Sequence, residues 1–272
     1  FMGKPVKADR LVLVAERALE ASRLRREVRD LKTRSVQASR IVGRSSAINQ
    51  LRQTLERVGR TNERVLMSGE AGCGKELRAR TLHEASTRSG GPFIVINAAT
   101  ITPETMEEEL FGVEGGEGRS RRVGALEEAH GGSLYIDEIG DMPRETQNRI
   151  LRVLVDQNFQ RVGGATRVHV DVRIISSSSR DLVRLIAEGQ LREDLYHRLG
   201  VVPIRVPALS ERREDVPELI EFFMEQISVA SGLPKRRIGG DAMAILQSHE
   251  WPGNVRELRN NVERLMILTK GD

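Results

Sequence analysis

A glycine-rich loop between an apolar segment and a helical pattern constrains the fold of this 272-residue chain more than any other feature. Glycines let successive backbone N–H groups turn inward around phosphate oxygens, and the N-terminus of the following helix adds its positive end. A lysine at the end of such a loop reaches the β- and γ-phosphates. The spacing G-x4-G-K therefore predicts a nucleotide-binding loop in an α/β fold. The loop consists of Gly69, Glu70, Ala71, Gly72, Cys73, Gly74, Lys75 and Glu76.

Four short segments dense in Val and Ile predict strands that are buried on both faces of a parallel sheet. Helical patterns lie between them, which predicts right-handed crossover connections. The strand patterns stop at about Pro207, and the remaining residues predict a smaller helical subdomain behind the sheet. The predicted strands are 64–68, 92–97, 133–137 and 170–176, the later helices are 211–227, 241–250 and 254–268, and the two subdomains are 35–206 and 207–272.

Two acidic residues, Asp137 and Glu138, end the third predicted strand. An aspartate at this position suits Mg²⁺ binding through water, and a glutamate next to it suits orientation of the attacking water. Solvated acids at a strand end are the alternative reading. Because the pair occurs together with the glycine-rich loop, we favour nucleotide hydrolysis chemistry.

Cys73 is the only cysteine, so the chain forms no internal disulfide, which favours a reducing, cytoplasmic setting. No apolar run approaches the roughly 20 residues that span a bilayer, so no membrane partner is expected. A thiol pKa tends to fall at a helix N-terminus, but we interpret Cys73 as a small loop residue without a redox role. The formal net charge of +4 is a modest field, and it predicts weak nucleic-acid affinity for these residues alone.

The N-terminal residues predict a helix at 8–32, with apolar residues at three- and four-residue steps. Two readings stay open for it: a dimerising signalling helix, and a connector with a solvated basic face, because Arg25 interrupts the apolar seam. The chain opens on Phe1 without the apolar core of a signal peptide, so we expect an excerpt from a longer protein.

Several motifs in one order resemble the AAA+ ATPase domain of bacterial enhancer-binding proteins, which remodel sigma-54 RNA polymerase. That family carries Glu after the loop lysine, as this chain does at Glu76. The resemblance covers roughly residues 36–272 and implies an AAA+ P-loop ATPase with a parallel sheet core and a C-terminal helical lid, with ATP or ADP and Mg²⁺ as cofactors. The motifs are IVGRSSAI (41–48), ELFG (109–112), GALEEAHGGSLYIDEIGDMP (124–143), QNRILRVLVDQNFQRVGG (147–164), LREDLYHRLGVVPIRVPALSERREDVPEL (191–219) and WPGNVRELRNNVERL (251–265).

The resemblance also implies roles for residues outside the loop. Asn97 matches the switch partner that restrains Glu138 until the γ-phosphate is sensed. Arg192 and Arg198 match the arginine fingers that are supplied to the ATP of a neighbouring subunit.

Three further residues match positions that contact the nucleotide in this family. Arg256 matches the second sensor, an arginine of the helical subdomain that touches the phosphates. Ile41 and Val42 match the edge of the adenine pocket.

The chain departs from the family at two places. The family inserts a loop with the sequence G-A-F-T-G-A that contacts the sigma factor, whereas residues 113–123 have neither Phe nor Thr and are about three residues shorter. Ser179 stands where the family has the first-sensor Asn, which predicts weaker positioning of the hydrolytic water. The arginines of the altered loop predict a solvated basic surface or a contact to an acidic partner or nucleic acid, and they are Arg119, Arg121 and Arg122.

A shortened loop with otherwise intact ATPase motifs resembles a group of two-component response regulators within this family. Residues 1–34 then match the end of a receiver domain and its linker helix, with Lys4-Pro5 at the receiver's Lys-Pro turn. The implied partners of the full-length protein are a sensor kinase, DNA through a C-terminal domain, and RNA polymerase. Self-association is implied as a dimer through the linker helix and as a ring through the AAA+ domain.

Two functions follow from these observations. The leading hypothesis is a regulatory ATPase that needs subunit assembly for hydrolysis. The alternative is a nucleotide-gated DNA-binding regulator that neither hydrolyses ATP productively nor remodels sigma-54 polymerase.

Overall fold

A five-stranded parallel sheet lies at the centre of the compact unit that begins at Ile41. The computed structural model describes residues 40–116 and 120–268, and the 8–32 helix, the receiver match and Arg119 lie outside them. The spatial order of the strands is β2-β3-β6-β1-β7, and β4 and β5 form a separate antiparallel hairpin. The strands are β1 (Val65–Ser68), β2 (Phe93–Asn97), β3 (Ser133–Asp137), β4 (Asn158–Gln160), β5 (Arg167–His169), β6 (Arg173–Ser178) and β7 (Val202–Arg205).

Helices cover both faces of the sheet and form the C-terminal subdomain. Those of the sheet region are α1 (Ser46–Gly59), α2 (Lys75–Glu84), α3 (Pro103–Phe111), α4 (Ala125–Glu128), α5 (Arg144–Asp156), α6 (Leu182–Ala187) and α7 (Glu193–Leu199), with a short 3₁₀ turn at Ile139–Asp141. A second 3₁₀ segment, Leu209–Asp215, leads into the lid helices α8 (Val216–Ser231), α9 (Gly240–Ser248) and α10 (Asn254–Leu268). No helix among the described residues is both long enough and apolar enough to span a bilayer.

Alternation along the strands explains the burial of both sheet faces. Leu134 and Ile136 of β3 belong to one core, whereas Tyr135 between them belongs to the core on the opposite face, with Val65 and Met67 of β1. All five side chains are fully buried. A strand with apolar residues on both faces is stable only between two covering layers. The observed parallel sheet with a core on each face confirms the predicted α/β class.

The predicted strand at 170–176 is shifted along the chain, because the first residues of that segment are engaged elsewhere. Val170 donates its backbone N–H to Gln157 O (3.0 Å), and Asp171 forms an ion pair with Arg88 (2.6 Å). The strand therefore begins only at Arg173. Similarly, the predicted helix at 211–227 starts as a 3₁₀ segment and becomes α-helical at Val216.

Arg173 is a buried residue that has a purely structural set of contacts. Its three guanidinium nitrogens donate to the carbonyl oxygens of Glu63 (3.0 Å), Gly59 (3.2 Å) and Val58 (3.0 Å), and the residue is 2% exposed. These carbonyls lie at and just beyond the C-terminal end of α1, where a cation offsets the partial negative charge of the helix. Burial is the largest influence on Arg173, and it lowers the pKa of the guanidinium.

The lid has its own core, and Val42 is the residue of the sheet region that belongs to it among residues 40–116 and 120–268. Trp251 and Phe223 belong to this core together with Val42, whereas the adjacent Ile41 belongs to the core beneath the sheet. Consecutive residues are thus anchored in two different subdomains.

Candidate functional site

The glycine-rich loop connects β1 to α2 and lies against the lid. Gly74 adopts a left-handed conformation (φ 96°) and is the N-cap of α2, so the helix begins at Lys75. Gly72 also has a positive φ of 77°, and a Cβ atom there would lie 2.2 Å from the carbonyl oxygen of Gly253 in the lid. Only glycine allows this approach, and the loop backbone is consequently held in the turn that surrounds a phosphate.

Lys75 is buried and points back over the loop. Its Nζ donates to Gly69 O (2.9 Å) and Glu70 O (3.3 Å), and it forms an ion pair with Glu138 Oε1 (3.4 Å). Phosphate oxygens can take the place of these acceptors, because the ammonium then keeps a charged partner. The position suits the predicted contact of Lys75 with the β- and γ-phosphates.

Glu138 lies immediately beyond β3, in a left-handed conformation (φ 53°, ψ 54°). Such a backbone is strained for a non-glycine residue and is concentrated at functional sites. Its Oε2 accepts hydrogen bonds from Ser179 N (2.8 Å) and Ser179 Oγ (2.9 Å). The end of β6 therefore holds the carboxylate from one side, and Lys75 holds it from the other.

Asp137 is fixed through one carboxylate oxygen. Its Oδ1 accepts from Tyr135 Oη (3.0 Å), from Glu138 N (3.2 Å) and from Ser177 Oγ. Burial, with the nearby Asp137 charge, raises the pKa of Tyr135, so the phenol stays a donor. The described hydrogen bonds all go to Oδ1, so Oδ2 could accept a hydrogen bond from a metal-bound water. Within residues 40–116 and 120–268 no three His, Cys, Asp or Glu side chains converge on a metal. A single carboxylate beside a phosphate-binding loop fits Mg²⁺, which keeps several water ligands and takes others from carboxylates and phosphates.

Asn97 is at the same edge of the sheet, opposite Asp137 in the parallel register. Its Oδ1 accepts from Ala99 N (2.9 Å), so the amide is used within its own turn. The described contacts of the Glu138 carboxylate are those to Ser179 and Lys75. A restraining role for Asn97 remains a prediction.

The remaining loop residues have different surroundings. Glu76 is paired with Arg80 one turn along α2 (3.3 Å). Cys73 is buried beneath the loop, and burial raises the pKa of its thiol despite the neighbouring cations. At this cysteine, burial therefore raises the pKa of the thiol more than the helix N-terminus lowers it.

The predicted arginine fingers lie at the N-cap and in the last turn of α7. Arg192 caps this helix and donates to both carboxylate oxygens of Asp194 (2.9 and 2.6 Å) and to Asn148 (2.6 Å). Arg198 lies in the last turn and is exposed. The second-sensor candidate, Arg256, lies on α10, and its backbone N–H donates to Gly72 O (3.3 Å).

Asn254 is a site residue that the sequence analysis missed. It is fully buried, has a positive φ of 54°, and accepts a hydrogen bond from Leu209 N (2.7 Å). Its amide nitrogen donates to Glu70 Oε2 (2.9 Å) and Ala71 O (3.1 Å) in the glycine-rich loop. The available signal was an asparagine directly after Pro-Gly at a helix start, within the WPGNVREL motif.

Asp215, also missed, joins the lid to the segment that follows Ile41 and Val42. Its carboxylate accepts from Arg44 N (2.7 Å), from Ser45 N (2.8 Å) and from Ser45 Oγ (2.6 Å). The positive φ of Gly43 (129°) brings the backbone so near that a Cβ would lie 2.6 Å from this carboxylate. The predicted edge of the adenine pocket is therefore tied to the first segment of the lid.

The altered loop at 113–123 starts from a small backbone ladder. Val113 and Arg122 exchange two backbone hydrogen bonds (2.9 and 3.0 Å), and Glu114 N donates to Val162 O (3.0 Å). The buried Arg161 donates to Glu114 (2.9 Å) and to both oxygens of Glu127. Arg122 pairs with Glu109 (3.1 Å), so part of the basic character predicted for this loop is neutralised.

The comparisons with known proteins agree with this architecture. Residues 41–205 match the sigma-54 interaction domain, and residues 210–272 match the AAA+ ATPase lid domain. The nitrogen assimilation regulatory protein NtrX of Azorhizobium caulinodans is 65% identical over 272 residues, which are 100% of this chain and 60% of that protein. The transcriptional regulator NtrC of Azospirillum brasilense is 45% identical, over 98% of this chain and 56% of its own length.

Two solved structures are also similar. The crystal structure of NtrX from Brucella abortus in complex with ADP has a TM-score of 0.90 and 65% identity. The match covers 100% of this chain and 61% of the NtrX chain. The complex of the same protein with ATP has a TM-score of 0.90 and 64% identity, and the match covers 100% of this chain and 59% of the NtrX chain. The chain thus spans about 60% of the length of these relatives.

Proposed function

Because this chain belongs to the sigma-54 interaction domain family of AAA+ ATPases, we propose that it binds and hydrolyses ATP as the central domain of an NtrX-like two-component response regulator. One observation carries the proposal. The ends of β1, β3 and β6 bring Lys75, Glu138 and Ser179 into one contact network beside a glycine-rich loop.

Within this proposal, the loop from Gly69 to Glu76 holds the phosphates. Lys75 gives up its ion pair with Glu138 and binds the phosphates in its place. Mg²⁺ would supply charge neutralisation at the phosphates when bound, and Asp137 would hold it through a water ligand. Glu138 accepts the proton of the attacking water and Asn97 restrains it beforehand. Arg256 approaches the phosphates from α10, while Ile41 and Val42 border the base.

Assembly completes the proposed site. Arg192 and Arg198 are the donors to a neighbouring subunit's ATP, as their match to the family's arginine fingers implies, and Arg198 is exposed as this role requires. An arginine of this kind accelerates phosphoryl transfer by about 10³–10⁵-fold, so an isolated subunit is nearly inactive. The ring forms through the AAA+ domain, and a dimer forms through residues 8–32 if the helix predicted there is the dimerising one.

The remaining partners belong to the longer protein that the relatives represent. They are an NtrY-like sensor kinase, DNA through a C-terminal domain, and RNA polymerase, in a cytoplasmic regulator of nitrogen-related transcription. We also propose the subdomain division at 206/207, which is supported by the end of β7 at Arg205 and the start of the lid segment at Leu209.

A titration with ATP and ADP, repeated on Lys75→Ala, tests nucleotide binding. We expect saturable binding by the wild type and at least a tenfold weaker affinity for the variant. Steady-state ATP turnover is then measured against protein concentration, and the specific activity rises with concentration if subunits complete each other's sites. Turnover that is absent at every concentration, with Lys75→Ala equally inert, refutes hydrolysis.

The altered loop favours the second candidate function, a nucleotide-gated DNA-binding regulator that does not hydrolyse ATP productively or remodel sigma-54 polymerase. Residues 113–123 contain no Phe or Thr for the sigma contact. Full-length protein added with ATP to sigma-54 closed complexes distinguishes the two. Open-complex formation refutes this second function.

A further inference from the structure

Gln147, near the start of α5, is fully buried and uses its side-chain amide to bind the backbone at three places. Its Nε2 donates to Met142 O (2.8 Å) and to Gln190 O (2.9 Å), and its Oε1 accepts from Arg192 N (2.9 Å). A side-chain amide has two N–H donors, and both are engaged here. One buried group therefore fixes three backbone positions at once.

These three positions belong to two segments with different parts in the proposed reaction. Met142 directly follows the 3₁₀ turn that begins after the proposed base, Glu138. Gln190 and Arg192 lie on the other segment, which leads into α7 and carries the first arginine-finger candidate. Gln147 thus holds the start of the finger helix against the segment that follows the proposed base.

A second link joins the same two segments at the surface. Arg180 donates to Asp141 Oδ1 (2.8 Å) in the 3₁₀ turn and to Gln190 Oε1 (3.0 Å). Its neighbour in the chain, Ser179, holds the Glu138 carboxylate. The finger segment is therefore attached twice to the structure around the proposed base, once in the core and once at the surface.

The side chain of Arg192 is directed from the same helix. Its guanidinium donates to Asn148 (2.6 Å), which follows Gln147 on α5, and to both carboxylate oxygens of Asp194 (2.9 and 2.6 Å). The side chain is 33% exposed, so another molecule can reach it. A group that completes a reacting site must be placed closely, because a misplacement of about 1 Å costs about 10²-fold in rate. The contacts with α5 therefore set where Arg192 is offered to a neighbouring subunit.

We propose that Gln147 is a positioning residue for the Arg192 finger, which fixes the backbone of the finger relative to Glu138 of its own subunit. The inference rests on the proposed ATP hydrolysis between subunits, and it adds a buried residue that acts through Arg192. As a consequence, hydrolysis in the next subunit depends on Gln147, whereas nucleotide binding in the same subunit does not.

The first test measures ATP turnover and ADP affinity of Gln147→Met, which keeps the length of the side chain and removes its three hydrogen bonds. We expect turnover at saturating ATP to fall by about 10–100-fold, with ADP affinity within about twofold of the wild type. Thr146→Val is the matched control on the same helix turn, because Thr146 is 1% exposed and its hydroxyl has no hydrogen-bond partner within residues 40–116 and 120–268. Its turnover and its ADP affinity are expected to equal those of the wild type.

Mixtures of variants then show which subunit carries the defect. Lys75→Ala has a disabled loop and an intact finger, so mixing it with Gln147→Met pairs intact loops with well-placed fingers, and turnover rises above the sum of the two proteins. Arg192→Ala has an intact loop and no finger, so its mixture with Gln147→Met gives no such rise. A residue that only stabilises the fold does not distinguish between these two partners.

The inference is overturned if Gln147→Met keeps wild-type turnover, if its ADP affinity falls as much as its turnover, or if Arg192→Ala restores turnover and Lys75→Ala does not. If Gln147→Met does not fold at the assay temperature, Gln147→Asn, which is shorter by one methylene, enters the same mixtures under the same criteria. Wild-type turnover per subunit that is independent of concentration also overturns it, although ATP hydrolysis then stands. A wild type that does not turn over ATP at any concentration refutes the proposed hydrolysis itself.

Discussion

The side-chain amide of Asn254, at the start of α10, donates a 2.9 Å hydrogen bond to the carboxylate of Glu70 in the glycine-rich loop. The same amide group also accepts from Leu209 N, so one buried side chain joins the loop, the lid segment and the last lid helix. Because a change in the position of the loop must alter these contacts, the angle of the lid is coupled to the phosphate site.

Replacement of Asn254 tests this coupling. Asn254→Gly tolerates the positive φ but removes the side-chain contacts to Leu209, Glu70 and Ala71, and Asn254→Ala adds backbone strain. We expect Asn254→Gly to lower the free energy of unfolding by about 1–3 kcal/mol, since buried partners are left unsatisfied, and Asn254→Ala to lower it further. Urea denaturation measures both, and equal stability of Asn254→Gly and the wild type contradicts the coupling.

Glu138→Gln removes charge at the proposed base and preserves the size of the side chain. We expect ATP turnover to fall by about 10²-fold or more, as for loss of a general base, while ADP affinity stays the same or rises because Lys75 loses its carboxylate partner. Ser179→Ala keeps the backbone N–H donor to Glu138 and removes only the hydroxyl, so its turnover falls less. Equal losses in turnover and ADP affinity for Glu138→Gln argue against the assignment.

Supply of Arg198 in trans predicts complementation between two inactive proteins. Lys75→Ala cannot hold the triphosphate, and Arg198→Ala cannot complete a neighbour's site. Each protein alone is expected to be inert, whereas a mixture regains part of the turnover, because some interfaces pair an intact loop with an intact arginine. A mixture as inactive as its components indicates that Arg198 acts within its own subunit or on the fold.

Arg173→Met removes three charged hydrogen bonds from carbonyl groups at the end of α1. We expect the free energy of unfolding to fall by about 3 kcal/mol or more, with an unchanged urea m-value. Arg60→Ala is a matched control, because Arg60 caps the same helix end at the surface and its ion pair with the exposed Glu56 is 3.2 Å long. Its expected loss is below about 0.5 kcal/mol.

His83 predicts loss of stability in mild acid. Burial lowers the pKa of this imidazole below its ordinary value of 6.5, while its Nδ1 lies 2.9 Å from Ser133 Oγ. Below that ordinary value the unfolded chain binds more protons than the folded one, so stability falls as the pH falls from 6.5 toward the folded pKa. Tm measured from pH 7.5 to 5 falls less steeply for His83→Asn, and parallel curves for the two proteins contradict this origin.

The strands and the site differ in how far local pattern predicts them. β3 is predicted at Ser133–Asp137, the observed bounds, because it is apolar on both faces and ends in two acids. β7 is missed, since it is a four-residue edge strand that contains Pro203, and edge strands are where proline is tolerated. Lys75 and Asp137 could be chosen as candidate site residues from their spacing alone, because a loop and a strand end are local features of the sequence.

The contacts that join the subdomains could not be predicted in this way. Asp215 and Asn254 reach partners that are 170 and 184 positions away in the chain. Their polarity suggests a surface position, and only the tertiary structure buries them.

Gly72 and Gly253 make the boundary between loop and lid sensitive to a single carbon atom. A Cβ at residue 72 would lie 2.2 Å from the lid backbone, and neither partner is a side chain that could rotate away. Alanine at this position therefore acts as a wedge that separates the two subdomains without removing any group that contacts the phosphates. Such a wedge offers a way to hold the protein open and to separate nucleotide capture from the movement that follows it.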